Sequence, residues 1–304
     1  MPLWIAATLS AALFQCWRTA LQQRLRGQLS VNGAGVVRYL YGVPFGLALL
    51  AAYVLATGQS LPDISGWAFL GFAALGGFTQ ILGTNLLIMS FGPRGFAVGT
   101  AYSKTEAVQG AVLALVLLGE HLSALSWLGI AVGVGGVLYL SLAGRNLTGA
   151  ELLRATVQPA ALCGLGAGTG FALTAIFVKS ANLELPHQDP VLRALVTLCV
   201  ANAMQTVMQG GFLAWKEPEQ FRAVFRTWRD SLPVGALSAF GSACWFTGFA
   251  LAPVAMVRAL GQTEIVFTLL FSRFYLKETL KRQEVIGALG IVGGVVLLLL
   301  GALR

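Results

Sequence analysis

Charge is the scarcest property of this chain. Of its 304 residues only 11% are Asp, Glu, Lys or Arg, where soluble domains carry about 25%. That shortfall excludes an ordinary water-soluble globule, and no long polar domain interrupts it. Histidine is almost as scarce. His121 and His187 both fall in connecting segments and support no metal site. Neither His nor Asp occurs inside an apolar run, so the convergent Ser/His/Asp, Cys/His or metal-ligand sets of an intramembrane enzyme are missing. The four cysteines, Cys16, Cys163, Cys199 and Cys244, all lie in apolar runs without a Cys-x-x-Cys pair. They read as packing residues rather than as disulfides or ligands. A phosphate-binding P-loop is absent too, which leaves ATP-driven pumping without support, and no cofactor is expected. The opening Met1-Pro2-Leu3-Trp4 lacks a basic n-region, so the first apolar run is expected to stay as a helix.

What is present instead is apolar sequence, 57% of the chain, with 37 glycines. Runs of roughly 20 residues recur, each long enough to cross a ~30 Å hydrocarbon core as a helix. They do not alternate apolar with polar, which argues against a β-barrel. The expected fold class is an all-α polytopic membrane protein. Ten spans are expected, at 3–22, 33–56, 67–90, 96–118, 124–142, 159–179, 191–215, 232–251, 254–275 and 283–302. The segment 216–231 reads as a polar connection. The net charge of +8 reads as loop charge in a membrane protein rather than as a nucleic-acid surface. Twelve Lys and Arg fall in the loops after spans 1, 3, 5, 7 and 9, against Arg304 on the other side. The positive-inside rule then places both termini outside the cytoplasm.

A repeat organises the spans. Thr105-Glu106, Glu120, Leu122, Gly129 and Gly135-Gly136 recur 158 residues later as Thr263-Glu264, Glu278, Leu280, Gly287 and Gly293-Gly294. Two halves follow, 1–145 and 159–304, joined by 146–158. Five spans per half is an odd number, so the halves are expected to be inverted repeats, as in many transporters. Gly42/Gly46, Gly129/Gly133, Gly166/Gly170 and Gly290/Gly294 have small-xxx-small spacing, read first as close packing within the monomer. Pro44 and Pro253 are expected to kink or end helices. Trp4, Trp67, Trp127 and Trp228 stand near span starts, where aromatic anchors sit.

Ionisable groups at membrane depth are expensive and usually functional. Glu106 and Glu264 each lie about ten residues into a span, roughly 15 Å deep. Lys104 and Arg258 lie nearby, with Tyr102, Gln109, Gln262, Thr263, Gln80, Asn85, Asn202 and Gln205 adding hydrogen-bonding capacity. A polar cavity between the halves is the functional reading. In it Lys104 or Arg258 receives a carboxylate, and Glu106 or Glu264 receives an ammonium or exchanges a proton. Candidate substrate contacts are Tyr102, Lys104, Glu106, Arg258, Gln262, Glu264, Gln80, Asn85 and Trp245. For the glutamates the repeat favours a second reading, a structural or gating role: a duplicated Thr-Glu in symmetric places suits a shared structural device. Lys104 and Arg258 break the symmetry, since their counterparts are Gln262 and Thr100, and selectivity is sought there. Arg38 and Arg193, near span ends, are read as snorkelling to headgroups. Glu120 and Glu278 are read as interface residues. Asn146-Leu147-Thr148 matches a glycosylation sequon.

The frame Thr105-Glu106-Ala107-Val108 … Gly119-Glu120-His121-Leu122, repeated as Thr263-Glu264-Ile265-Val266 … Lys277-Glu278-Thr279-Leu280, resembles the EamA family of the drug/metabolite transporter superfamily. The ten-span layout fits the same resemblance. Two features depart from it: the family often has proline after Thr-Glu, where this chain has Ala107 and Ile265, and Lys277 stands where a glycine precedes the second glutamate. The family is also usually drawn with both termini in the cytoplasm. The resemblance implies a secondary transporter in the bacterial inner membrane that exports or exchanges small metabolites by alternating access. Its partners would be a small-molecule substrate and the lipid bilayer, with a proton or counter-substrate as coupling partner. Amino acids are a common substrate class in the family. Efflux of lipophilic or quaternary cations, with a glutamate and Trp245 or Tyr102 as the cation site, is the alternative.

Overall fold

The computed structural model describes residues 2–25, 27–89, 102–142, 158–274 and 282–302. Every regular element among them is a helix. In chain order these are α1 (Leu3–Leu25), α2 (Val31–Leu40), α3 (Gly42–Thr57), α4 (Trp67–Met89), α5 (Glu106–Leu118), α6 (Ala124–Leu142), α7 (Pro159–Glu184), α8 (Pro190–Lys216), α9 (Pro218–Arg226), α10 (Trp228–Leu251), α11 (Val254–Gly261), α12 (Thr263–Phe274) and α13 (Arg282–Ala302). Lys277, Lys281, Glu278, Leu280, Thr100, the sequon at Asn146 and most of the 146–158 connection lie outside the described residues.

Six helical stretches among the described residues are long and apolar enough to cross a membrane: Val31–Thr57, Trp67–Met89, Pro159–Glu184, Pro190–Lys216, Trp228–Leu251 and Val285–Ala302. They make the chain a multi-pass membrane protein. The expected first span has the length, but Gln15, Arg18 and Gln22 lower its apolarity. The expected ninth span is divided into α11 and α12, eight and twelve residues long, each short of the ~20 residues a span needs.

The chain forms two compact units. One comprises Met1–Ile81 and Thr174–Ala252, the other Leu82–Leu173 and Pro253–Arg304. Each draws on both halves of the sequence.

In the first unit α10 packs on α1, α2, α3 and α8. One apolar core joins Leu25, Leu29, Val36, Val37, Leu213, Val224 and Val234; another joins Phe69, Ala73, Ala181, Leu185, Leu192 and Val196. Pro44 has the expected effect: helix is interrupted at Tyr41, and Pro44 lies in the first turn of α3, where its missing N–H is harmless. Segment 216–231 departs from the expectation of a plain connection. Pro218 starts α9, whose Val224 is buried in the first core with Phe221 packed against it. The Gln220 Oε1 atom accepts the Ser30 N–H at 2.7 Å, and Tyr41 Oη donates to the Val224 carbonyl at 3.0 Å. Arg38, expected to snorkel, is instead only 6% exposed, with its guanidinium 5.5 Å from the Tyr39 ring centre. It is one of seven consecutive buried residues, Gly33 to Tyr39, so α2 is enclosed on all sides there. Trp67 and Trp228 are exposed at the first residues of α4 and α10, as interfacial anchors should be.

Asp189 shows how this unit fixes a loop. Its Oδ1 accepts the N–H groups of Val191 and Leu192 and so caps α8, while Oδ2 accepts from Tyr53 Oη at 2.7 Å and Gln59 Nε2 at 2.9 Å. Burial alone would raise its pKa, but these hydrogen bonds to the ionised form outweigh it, and the carboxyl lies below its ordinary value. A depressed folded-state pKa contributes stability above the unfolded value, about 3.9, and loses it as pH falls through the folded value. Thermal stability in detergent should therefore hold from pH 7 to pH 5 and drop below about pH 4. Asp189→Asn should lower stability at pH 7 by about 2 kcal/mol and flatten that acid limb. An unchanged acid limb in the variant would assign the pH dependence elsewhere.

In the second unit α6 and α13 form the tightest pair, with α11 packed on α5, α6 and α13. The glycine spacings explain the closeness. A Cβ at Gly129 would meet the Leu298 backbone N at 2.5 Å and the Gly294 carbonyl at 2.7 Å; one at Gly136 would meet the Ile291 N at 2.8 Å. These contacts are within the monomer, as expected for Gly129 and Gly294. Gly119 ends α5 at φ +66°, the left-handed region where a side chain is disfavoured.

Candidate functional site

The two Thr-Glu frames mark two interruptions in helix. Chain is helical at Tyr102–Ser103, turns at Lys104–Thr105 and resumes as α5 at Glu106. It is helical through α11 to Gly261, turns at Gln262 and resumes as α12 at Thr263. Lys104 and Gln262 thus occupy equivalent places, 158 residues apart. No proline is needed, although Ala107 and Ile265 stand where the family often carries one. A break frees backbone carbonyls, and buried carbonyls need donors. The threonines supply them: Thr105 Oγ1 donates to the Tyr102 carbonyl at 2.6 Å, and Thr263 Oγ1 to the Leu260 carbonyl at 2.8 Å. Gln262 Nε2 donates to the carbonyl of Lys104 at 3.4 Å, so one break supports the other.

The breaks also explain the glutamates. Glu106 is the first residue of α5 and Glu264 the second of α12. Both face the positive end of a helix dipole, worth about 0.3–1 kcal/mol each near a surface and more when partly buried. Arg258 lies in the last turn of α11, at a negative end. A charged residue at each broken end is therefore locally favoured before any ligand is considered.

The charges then pair crosswise. Lys104 Nζ stands 3.1 Å from Glu264 Oε2, a hydrogen-bonded ion pair, and Arg258 Nη1 stands 3.6 Å from Glu106 Oε1. All four side chains are between 10% and 16% exposed. Arg258 Nη2 also donates to the Phe171 carbonyl of α7 at 2.7 Å. Helix α7 passes close to the first break. A Cβ at Gly168 would lie 3.0 Å from Gln109 Nε2 and 3.1 Å from the Ser103 carbonyl. Thr169 Oγ1 donates to Gln109 Oε1 at 2.6 Å, and Gln109 Nε2 donates to Thr105 Oγ1 at 2.8 Å. The arrangement is a desolvated, charge-balanced set of two acids and two bases at the ends of broken helices. Chemically it can receive an ammonium and a carboxylate together.

Five of the nine candidate residues, Lys104, Glu106, Arg258, Gln262 and Glu264, are brought together here. Tyr102 adjoins them through its carbonyl. Asn85 belongs to the same unit, on α4. Gln80 and Trp245 belong to the first unit. There Gln80 Oε1 accepts from Gln205 Nε2 at 2.7 Å, and buried Trp245 stacks on Phe249 with ring centres 5.9 Å apart and donates to Gln15 Oε1 at 3.1 Å. The Phe171 carbonyl and Thr169 were not anticipated. A backbone acceptor leaves no mark in side-chain composition, and only the neighbouring small residues Gly168 and Gly170 hint that α7 comes close. Glu120, read as an interface residue, does something more definite. Its Oε2 accepts the Val254 N–H at 2.8 Å and so caps α11. That donor is one of the free N–H groups at a helix start.

Discontinuous helices with charged residues at their ends recur at the substrate sites of many transporters. Residues 158–300 match the EamA-like transporter family, part of the drug/metabolite transporter superfamily. Transporters of that family act on small-molecule substrates in a lipid bilayer. Among solved structures, one described simply as the crystal structure of a protein is similar over 97% of this chain and 98% of its own, with a TM-score of 0.69 and 16% identity. At that identity the likeness shows a shared fold alone. No curated protein matches the chain significantly.

Proposed function

We propose that this protein is a secondary transporter of small polar or zwitterionic metabolites, amino acids foremost, working as an exporter in the bacterial inner membrane by alternating access. The observation that carries the reading is the pair of opposite-charge couples, Lys104–Glu264 and Arg258–Glu106, held at two helix breaks. A zwitterion offers one partner to each sign of charge. Ten spans in two inverted five-helix repeats complete the proposal, supported by the 158-residue frame and by the equivalent positions of the two breaks. A purely cationic ligand fits less well, because it would meet Lys104 and Arg258 beside the acids.

The test is counterflow of labelled neutral amino acids into proteoliposomes of the purified protein. Wild type should accumulate label against unlabelled internal substrate. Glu106→Gln and Lys104→Gln, compared at equal amounts of monodisperse protein, should each lower the initial rate at least tenfold. Full rates in both variants would remove these residues from the site. Uptake of a lipophilic cationic dye in place of amino acids would favour multidrug efflux.

A further inference from the structure

The four buried charges sum to zero with nothing bound. Each glutamate already has a cation, and the two cations are of different kinds. Arg258 keeps its charge at any physiological pH and is anchored by the Phe171 carbonyl at 2.7 Å. Lys104 is held by the direct 3.1 Å contact to Glu264. The Arg258–Glu106 couple at 3.6 Å is the looser of the two, beyond ordinary hydrogen-bond length. A ligand inserted there would meet the Arg258 guanidinium, still aimed by its backbone anchor, with its carboxylate and Glu106 with its ammonium. A site this dry penalises any uncompensated charge. Its empty form avoids that penalty without borrowing a proton, and a net-neutral zwitterion inserted between Arg258 and Glu106 avoids it as well.

We propose that the carrier obeys a charge-sum rule: it changes its facing only when the charges of Lys104, Glu106, Arg258 and Glu264 and those of the ligand add to zero. This rests on the transport reading above and adds the coupling mode. The carrier moves empty or loaded with a zwitterion, so transport is electroneutral, needs no proton and is not confined to exchange. The rule also makes selectivity a matter of arithmetic. Removing an acid leaves the site at +1 and should turn it toward ligands of net charge −1. Removing Lys104 leaves it at −1 and should turn it toward ligands of net charge +1. A purely structural role for the four residues would lower transport of all three ligand classes alike.

The experiment uses proteoliposomes of the full chain and three labelled probes, leucine, glutamate and lysine, which carry net charges of 0, −1 and +1 near neutral pH. For wild type, leucine efflux into substrate-free medium should run within about twofold of leucine exchange. It should be unchanged by an imposed pH gradient or a clamped membrane potential. Glu264→Gln should raise the glutamate-to-leucine rate ratio at least tenfold. Lys104→Gln should raise the lysine-to-leucine ratio by a similar factor. Efflux that stops without external substrate, or leucine accumulation driven by a pH gradient, overturns the rule and leaves the transport reading standing. Unaltered ratios in both variants overturn it in the same way. If no probe moves in any mode, the transport reading fails and the rule falls with it. If a variant is too unstable to reconstitute, the wild-type efflux and gradient measurements decide by themselves.

Discussion

Gly294→Ala is expected to strip the second unit of several kcal/mol of stability, while Gly293→Ala next to it is expected to be neutral or mildly stabilising. The two glycines are consecutive on α13 and differ only in what they face. A Cβ on Gly294 would lie within 3 Å of the Gly133 backbone and 2.6 Å from the Gly129 carbonyl, whereas one on Gly293 would meet nothing within 4 Å. Backbone cannot rotate away as a side chain can, so α6 and α13 must separate to admit the methyl group. Overpacking of this kind costs typically about 1–3 kcal/mol, occasionally more. Because lipid is as apolar as the helix faces, close packing itself holds membrane helices together, and a separated pair loses contacts along its whole length. Gly293→Ala meets no such obstacle and gains up to about 1 kcal/mol of helix propensity. The repeat supplies a second pair for the same test: Gly136→Ala should behave as Gly294→Ala does, and Gly135→Ala as Gly293→Ala. Thermal unfolding and monodispersity in detergent read the difference. Equal losses at Gly293 and Gly294 would mean that the α6–α13 contact is not what holds this unit.

The contrast within each Gly-Gly pair also shows what was legible in the sequence. Apolar runs, glycine spacing and the 158-residue frame were enough to expect a helical membrane protein and to single out the charged frames. They could not say which glycine of a pair faces its neighbour, because helical rotation depends on packing. Nor could they separate a continuous ninth span from α11 and α12, since Gln262 carries no breaker signal of its own. The break there is maintained by Thr263 and Gln262 bonding to freed carbonyls, a role that residue type suggests only once the partners are placed. The pairing of charges was legible as composition and not as connectivity. Lys104 is two residues from Glu106, yet its partner is Glu264, 160 residues away. Arg38 departs from the snorkelling expectation because α2 is buried on every side from Gly33 to Tyr39, which nearness to a span end does not reveal.

That crossed pairing sets up the other large effect. Glu264→Gln is expected to destabilise the second unit by about 3–5 kcal/mol, the usual result of removing one member of a buried ion pair and leaving its partner uncompensated. Lys104 is 16% exposed, too enclosed for water to replace the lost carboxylate fully. The double variant Lys104→Met/Glu264→Leu removes both charges and fills similar volume with apolar groups. Replacements of this kind are often neutral or stabilising, so the double variant should unfold within about 1 kcal/mol of wild type or above it. Because Arg258 and Glu106 are untouched and their charges still sum to zero, its leucine transport should exceed that of Glu264→Gln at least tenfold. A coupling energy in the thermal-unfolding cycle near zero would show that the 3.1 Å contact is too solvated to matter. A stable double variant that carries leucine, beside an unstable and inactive Glu264→Gln, would separate the balance of charge from the pair itself. Folding requires only that the charges match, and a match can be had more cheaply with no charges at all. Loss of leucine transport in a stable double variant would instead put Lys104 and Glu264 in direct contact with the ligand.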